Sequence, residues 1–193
     1  MNTDNPLELA IIYGSVRSAR KGIRAARFVL QQCRERGHHA TLIDPLDYQL
    51  PLLDKMYKEY EPEQAPETLR RLAQIIAPAD AYLIVSGEYN HAPPPALLNL
   101  LDHFQKEYLR KPSAIVSYSA GAFGGVRAAV ALRPVLAELG MSSIPSVLPL
   151  PNVQSAFDEE GRPSDEKTLG RASKFIAELE WYARALRAAR EGD

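Results

Sequence analysis

Short apolar runs alternate along the whole chain with longer stretches in which apolar positions recur every three or four residues. Residues 7–13 are nearly all apolar and end at Gly14-Ser15; Ile23, Ala26, Val29 or Leu30, and Cys33 then share one helical face before Gly37. A second run at 40–43 leads through a proline-dotted stretch, 46–66, to a helix over 68–79 with Leu69, Leu72, Ile75 and Ile76 on one side. The pattern then predicts a strand at 81–85, a helix at 95–108, a strand at 113–118 and a helix at 126–139 that Pro134 should kink or split. A fifth strand at 143–148 precedes a final helix, capped by Ser164 and running to about residue 190. Its apolar stripe is Leu169, Ala172, Phe175 or Ile176, Leu179, Tyr182 and Leu186.

Five short apolar strands separated by helices imply a parallel sheet covered on both faces. The expectation is α/β: a flavodoxin-like, doubly wound, five-stranded sheet in the order 2-1-3-4-5. It forms one domain over 1–193, with 1–6 and 191–193 as flexible ends. In that order the ligand crevice lies between strands one and three, at the loops 14–22 and 87–95.

With 193 residues, 46% hydrophobic and 24% charged, the chain suits one core. A net charge of -1 gives no field to attract nucleic acid or an anionic membrane, and the start reads as neither a signal nor a membrane helix. A cytoplasmic protein is the expectation. Cys33 is the only cysteine, which excludes an intrachain disulfide and any multi-thiolate metal site. His38, His39, His91 and His103 lack metal spacing, and Asp102-His103 reads as a helix surface pair.

Three loops carry candidate chemistry. Between the first strand and helix, Ser15, Arg17, Ser18 and Arg20 surround a helix N-terminus, where amides, hydroxyls and guanidinium groups suit a terminal phosphate. The loop has neither a dinucleotide fingerprint nor a P-loop; its plainer reading is solvated decoration. After the third strand, Glu88, Tyr89, Asn90 and His91 precede Pro93-Pro94-Pro95, and form either a heterocycle edge or a rigid turn. After the fourth, Ser117, Tyr118, Ser119, Gly121, Gly124 and Gly125 offer close backbone approach, or simply a glycine-rich helix start.

Taken in order, Gly14-Ser15-x-Arg17, Glu88-Tyr89-Asn90-His91 with Asn99 and Asp102 downstream, and Ser117-Tyr118-Ser119-Ala120-Gly121-x-x-Gly124-Gly125-Val126-Arg127 resemble the NADPH-dependent FMN reductase family. Leu50-Pro51-Leu52-Leu53-Asp54 resembles that family's text too. The resemblance implies a bound FMN with NADPH or NADH as co-substrate, and hydride transfer by the cofactor without a catalytic side chain. Ser15, Arg17, Ser18 and Arg20 would hold the phosphate. Glu88, Tyr89 and Asn90 would line the isoalloxazine and ribityl side, with Ser117, Ser119, Gly121, Gly124 and Gly125 opposite.

It further implies a small-molecule electron acceptor such as a quinone, azo compound, metal oxyanion or free flavin. A homodimer or homotetramer is implied as well, built through the apolar helix 95–108, where Leu97, Leu98, Leu100, Leu101 and Phe104 ask for cover on more than one side. Two positions depart from the family's usual pattern: Gly87 stands where Pro is common and should loosen the turn, and Leu98 stands where Lys is frequent. Arg110, Lys111 and Arg127 are candidates for a 2′-phosphate. The alternatives are a flavodoxin-like electron carrier, which near-neutral charge disfavours, and a flavin-responsive regulator.

Overall fold

In the computed structural model, which describes residues 5–61 and 63–192, the five apolar runs are strands β1 (Glu8–Tyr13), β2 (His39–Ile43), β3 (Ala81–Gly87), β4 (Lys111–Tyr118) and β5 (Met141–Leu150). All four neighbouring pairs are parallel, and the order is β2-β1-β3-β4-β5. The doubly wound expectation holds.

Successive strand residues face opposite sides of a sheet, and the core divides on that rule. Leu9, Ile11 and Tyr13 of β1, with Leu83 and Val85 of β3, pack under α1 (Ile23–Glu35) and the closing helix, α7 (Glu166–Glu191). Ala10 and Ile12, with Tyr82 and Ile84, pack on the other face against α3 (Glu67–Ile76), α4 (Pro95–Asp102) and α5 (Val126–Glu138). Two single-turn helices, α2 (Pro45–Tyr48) and α6 (Val153–Ala156), follow β2 and β5.

Several boundaries differ from the sequence pattern, each for a local reason. α5 continues through Pro134 as one helix, because Pro134 and Val130, the residue whose carbonyl it leaves unbonded, both lie on the solvent side. β5 extends past the predicted 143–148 because it is the sheet edge, where Pro145 and Pro149 are tolerated. α7 is capped by Asp165 rather than Ser164, its carboxylate accepting from the Thr168 amide at 2.9 Å. Its buried stripe runs through Thr168 and Ala183, leaving Leu169 exposed.

The predicted helix 95–108 stops at Asp102 and resumes as a 3₁₀ turn, Lys106–Tyr108. His103 is not a surface residue: it is 2% exposed and its Nδ1 donates to the Asn99 carbonyl at 2.6 Å. Asp102 is half-buried, and that burial raises its carboxyl above the usual range. Leu97, Leu100, Leu101 and Phe104 are fully covered by this chain alone. Leu98, the remaining apolar residue named on α4, is half-buried.

At the ends, Arg184 and Arg187 donate to the carbonyls of Asn5 and Pro6. Residues 1–4 and 193, parts of the expected flexible ends, lie outside the described residues. Among the described residues no helix is long and apolar enough to cross a membrane.

Candidate functional site

The carboxyl ends of β1, β3 and β4 meet at one edge, since Tyr13 pairs with Val85, and Gly87 pairs with Tyr118. Each of the three loops leaving this edge is held by a few specific bonds.

The 14–22 loop starts with the Gly14 amide on the Val85 carbonyl at 3.1 Å, and a side chain at Gly14 would meet Leu97 Cβ at 2.7 Å. Ser15 is buried, its Oγ 3.2 Å from the Tyr89 hydroxyl, so the first and third loops are fastened together. Arg20 turns inward: its two terminal nitrogens meet the Asp44 carboxylate at 2.5 and 2.6 Å, and Nη1 also donates to the Ser15 carbonyl. Burial opposes the Arg20 charge, but Asp44 outweighs it and holds the guanidinium pKa above its ordinary value. Arg17 and Lys21 are exposed and form no ion pair among the described residues. Gly22 supplies no side-chain cap to α1, and the Arg24 amide donates instead to the Lys21 carbonyl at 3.1 Å.

After β3, Tyr89 and Ala92 exchange amide-to-carbonyl bonds of 2.9 Å in each direction around Asn90 (φ 51°) and His91 (φ 67°). Two successive left-handed residues make a tight reversal, and Asn tolerates that backbone better than most. Glu88 does not turn toward the cavity centre. Its carboxylate accepts from the amides of Arg127 and Ala128 at 3.1 and 3.4 Å, at the positive end of α5. Arg127 lies over the Phe123 ring, 4.6 Å from its centre, and reaches Glu88 at 3.5 Å.

After β4, buried Ser117 donates to the Gly124 carbonyl at 2.7 Å, and Ser119 donates to the Gly121 carbonyl at 3.0 Å. Both hydroxyls brace the loop. Gly125, at φ 76°, sits so close to Tyr118 that a Cβ would lie 2.6 Å from its carbonyl oxygen. The Tyr118 ring fills the space beside two other glycines: a Cβ on Gly22 would lie 2.1 Å from it, and one on Gly87 3.0 Å. Gly87 is therefore not a loosened turn. It is the last residue of β3, paired with Tyr118, and its missing side chain is what admits the ring.

A cavity of about 220 Å³ lies over these loops. It brings together Ser15, Arg17, Arg20, Glu88, Tyr89 and Ser119; Ser18, Asn90, Ser117, Gly121, Gly124 and Gly125 are not on its wall. Tyr118 also lines it, as do Lys21, Gly22 and Gln154, for which the sequence assigns no role. The glycine pair opposite an aromatic strand end was the available signal for Tyr118; nothing periodic points to Gln154, on the single turn α6. Burial raises the Tyr13 phenol above its ordinary range and the Tyr118 phenol far above it, so both are neutral hydrogen-bonding groups at neutral pH.

Of the 2′-phosphate candidates, Lys111 starts β4 at the far end, about 23 Å away at 3.3 Å per residue. Its Nζ donates to the Ala77 carbonyl at 2.6 Å. Arg110 lies beside it, and only Arg127 is near the cavity. A larger open groove, about 850 Å³, runs along the start of α7, with Asp165 and Glu166 as well as Lys167 and Arg171 on its wall. Among the described residues no three His, Cys, Asp or Glu side chains gather as a metal cage.

Comparison with known proteins matches residues 7–155 to the family described as NADPH-dependent FMN reductase. An NAD(P)H-dependent FMN reductase of Pseudomonas aeruginosa is 33% identical over 128 residues, 63% of this chain and 69% of its own. A quinone reductase of Pseudomonas putida is 32% identical over 165 residues, 82% of this chain and 85% of its own. Among solved structures, the flavoenzyme NAD(P)H:(acceptor) oxidoreductase FerB of Paracoccus denitrificans superposes with a TM-score of 0.75 at 24% identity, covering 92% of this chain and 98% of its own. That last likeness concerns the fold.

Proposed function

We propose, for a chain that belongs to the NADPH-dependent FMN reductase family, that the cavity over β1, β3 and β4 is its FMN seat. Membership makes the protein an FMN-dependent NAD(P)H oxidoreductase with a flavodoxin-like fold. The observation that carries the seat is its lining: exposed Arg17 and Lys21, which form no ion pair among the described residues, share one cavity with Ser15, Ser119 and Gly22 at the start of α1. That set fits a phosphate followed by a polyhydroxyl chain and a polar ring.

When bound, FMN supplies acceptance of a hydride from the nicotinamide and release of electrons to a second substrate. The chain's residues bind and orient. Arg17 and Lys21 take the phosphate end; Tyr89, braced by Ser15 and the reversal at Asn90 and His91, gives a fixed aromatic edge. Glu88 and Ser117 act indirectly, by holding α5 and the glycine loop in place. The buried phenols of Tyr13 and Tyr118 stay protonated at neutral pH. At about 220 Å³ the cavity is smaller than the roughly 300–1,000 Å³ usual for whole ligands, which leaves a guest's outer side open to a second reactant.

Relatives named quinone reductase and NADPH azoreductase favour small acceptors of those types. The near-neutral net charge of -1 favours them over a protein docking partner, and so over an electron carrier. We place the enzyme in the cytoplasm as a homodimer or homotetramer. Because most of the leucines of α4 are already buried, the assembly surface is taken as half-buried Leu98 with the exposed rim of Val16, Leu46, Leu52 and Leu53, pinned to α4 by Leu53 amide to Asn99 Oδ1 at 2.9 Å.

Arg17→Ala tests the seat. It should weaken FMN binding by about 1.5–3 kcal/mol, the range for a hydrogen bond to a charged group, and leave riboflavin binding nearly unchanged. Equal loss for both ligands in fluorescence titrations would mean that Arg17 does not read the phosphate.

A further inference from the structure

We infer that Arg20 is a positioning residue rather than a phosphate ligand, and that its ion pair with Asp44 staples the loop after β1 to the end of β2, shaping the phosphate end of the cavity. The inference rests on the FMN seat proposed above. Arg20 belongs to the loop that precedes α1, whereas Asp44 follows β2, so the pair joins two separate segments of the sheet edge.

Three of the five guanidinium N–H donors of Arg20 are engaged. Both terminal nitrogens of Arg20 meet a carboxylate oxygen, at 2.5 and 2.6 Å, and Nη1 also donates to the Ser15 carbonyl at 3.0 Å. The guanidinium lies over the Tyr13 ring, 5.4 Å from its centre. Asp44 is equally committed, since Oδ1 accepts the Leu46 amide at 3.0 Å and caps α2. The two side chains are only 16% and 12% exposed, so their charges cancel in a poorly hydrated place.

Moving Arg20 onto a phosphate would strand the Asp44 carboxylate, largely buried, beside a second anion. Breaking such a pair from one side is strongly unfavourable. Exposed Arg17 and Lys21 line the same cavity and face no such penalty. They are the phosphate-reading cations, and Arg20 holds the Ser15 carbonyl and the loop in register beneath them.

Asp44→Asn separates the two roles by the sign of its effect. Asparagine keeps the shape and caps a helix as well as aspartate, so α2 keeps its start. For a staple, the variant should bind FMN at least tenfold more weakly, and amide hydrogen exchange over 14–22 in the flavin-free protein should quicken. Arg20→Gln and Arg20→Lys should do the same, and the Asp44→Asn/Arg20→Gln double variant should be no weaker than either single, since one interaction is lost once. If Arg20 instead reads the phosphate, removing the Asp44 charge frees it, and FMN affinity stays level or rises while Arg20→Gln loses affinity; that result overturns the inference. Unchanged exchange over 14–22 in both Asp44→Asn and Arg20→Lys overturns it as well. A wild-type protein that takes up no FMN would defeat the seat, while the exchange measurement still reports on the staple.

Discussion

Replacing Gly22 by Ala sets two effects against each other at one carbon atom. Gly22 lies at φ -63°, ψ -18°, a helical conformation open to any residue, and by backbone entropy alone alanine there would stabilise by about 0.4–1 kcal/mol. The new Cβ, however, would lie 2.1 Å from Tyr118 Cζ, 2.3 Å from Cε2 and 2.4 Å from the hydroxyl oxygen. That overlap cannot be absorbed by a flexible end, because the Tyr118 ring is 7% exposed and its hydroxyl lies 3.4 Å from that of Tyr13. Overpacking of this kind costs about 1–3 kcal/mol, which exceeds the backbone gain. The expected outcome is a net loss of about 1–2 kcal/mol in urea unfolding, with weaker FMN uptake because the displaced ring lines the cavity. Shrinking the ring, in Gly22→Ala/Tyr118→Leu, should recover part of the stability lost by Gly22→Ala. A single variant that is more stable than wild type, by the amount typical of an unobstructed glycine, would refute the position of Tyr118 and with it the explanation of Gly87.

Two further outcomes follow from the packing and the charge network. Leu101→Asp puts a carboxylate where a fully buried leucine stood; truncation alone costs about 2–5 kcal/mol, so the variant should unfold rather than merely dissociate, whereas Leu52→Asp on the 85%-exposed Leu52 should stay folded and shift the elution volume of an oligomer. A folded Leu101→Asp protein would contradict the burial of α4. Burial pulls the Glu180 carboxyl upward, but Arg36 and His38 outweigh it and hold it down at about 2. A depressed folded pKa stabilises above the ordinary carboxylate value near 4.3 and loses that contribution as pH falls toward 2. The unfolding midpoints of wild type and Glu180→Gln should therefore be well separated at pH 6 and converge between about pH 4 and pH 2; a separation independent of pH would remove Glu180 from that account.

The strands were legible because parallel strands covered on both faces are apolar throughout, and β3, from Ala81 to Gly87, is buried at every position. The order of the sheet followed from right-handed crossovers, and with it the meeting of three loops. What a linear pattern does not carry is direction. Glu88 and Arg20 are polar residues in site loops, yet one caps α5 and the other pairs with Asp44, because each has a stronger partner in another loop than the cavity offers. Composition likewise could not show how much of an apolar helix its own chain covers; Leu97, Leu100 and Leu101 of α4 are buried within this chain and Leu98 is half-buried. Gly87 read as a gain of freedom in one dimension, and as room for Tyr118 in three.

The most direct test of the account is anaerobic mixing of the FMN-loaded protein with NADPH or NADH and no other reductant, followed at the visible flavin band. An NAD(P)H-dependent FMN reductase built on these three loops should bleach rapidly with at least one nicotinamide and recover its colour when a quinone is added. A flavin band that persists with both nicotinamides, in protein that retains its FMN, would contradict the account and favour an electron carrier.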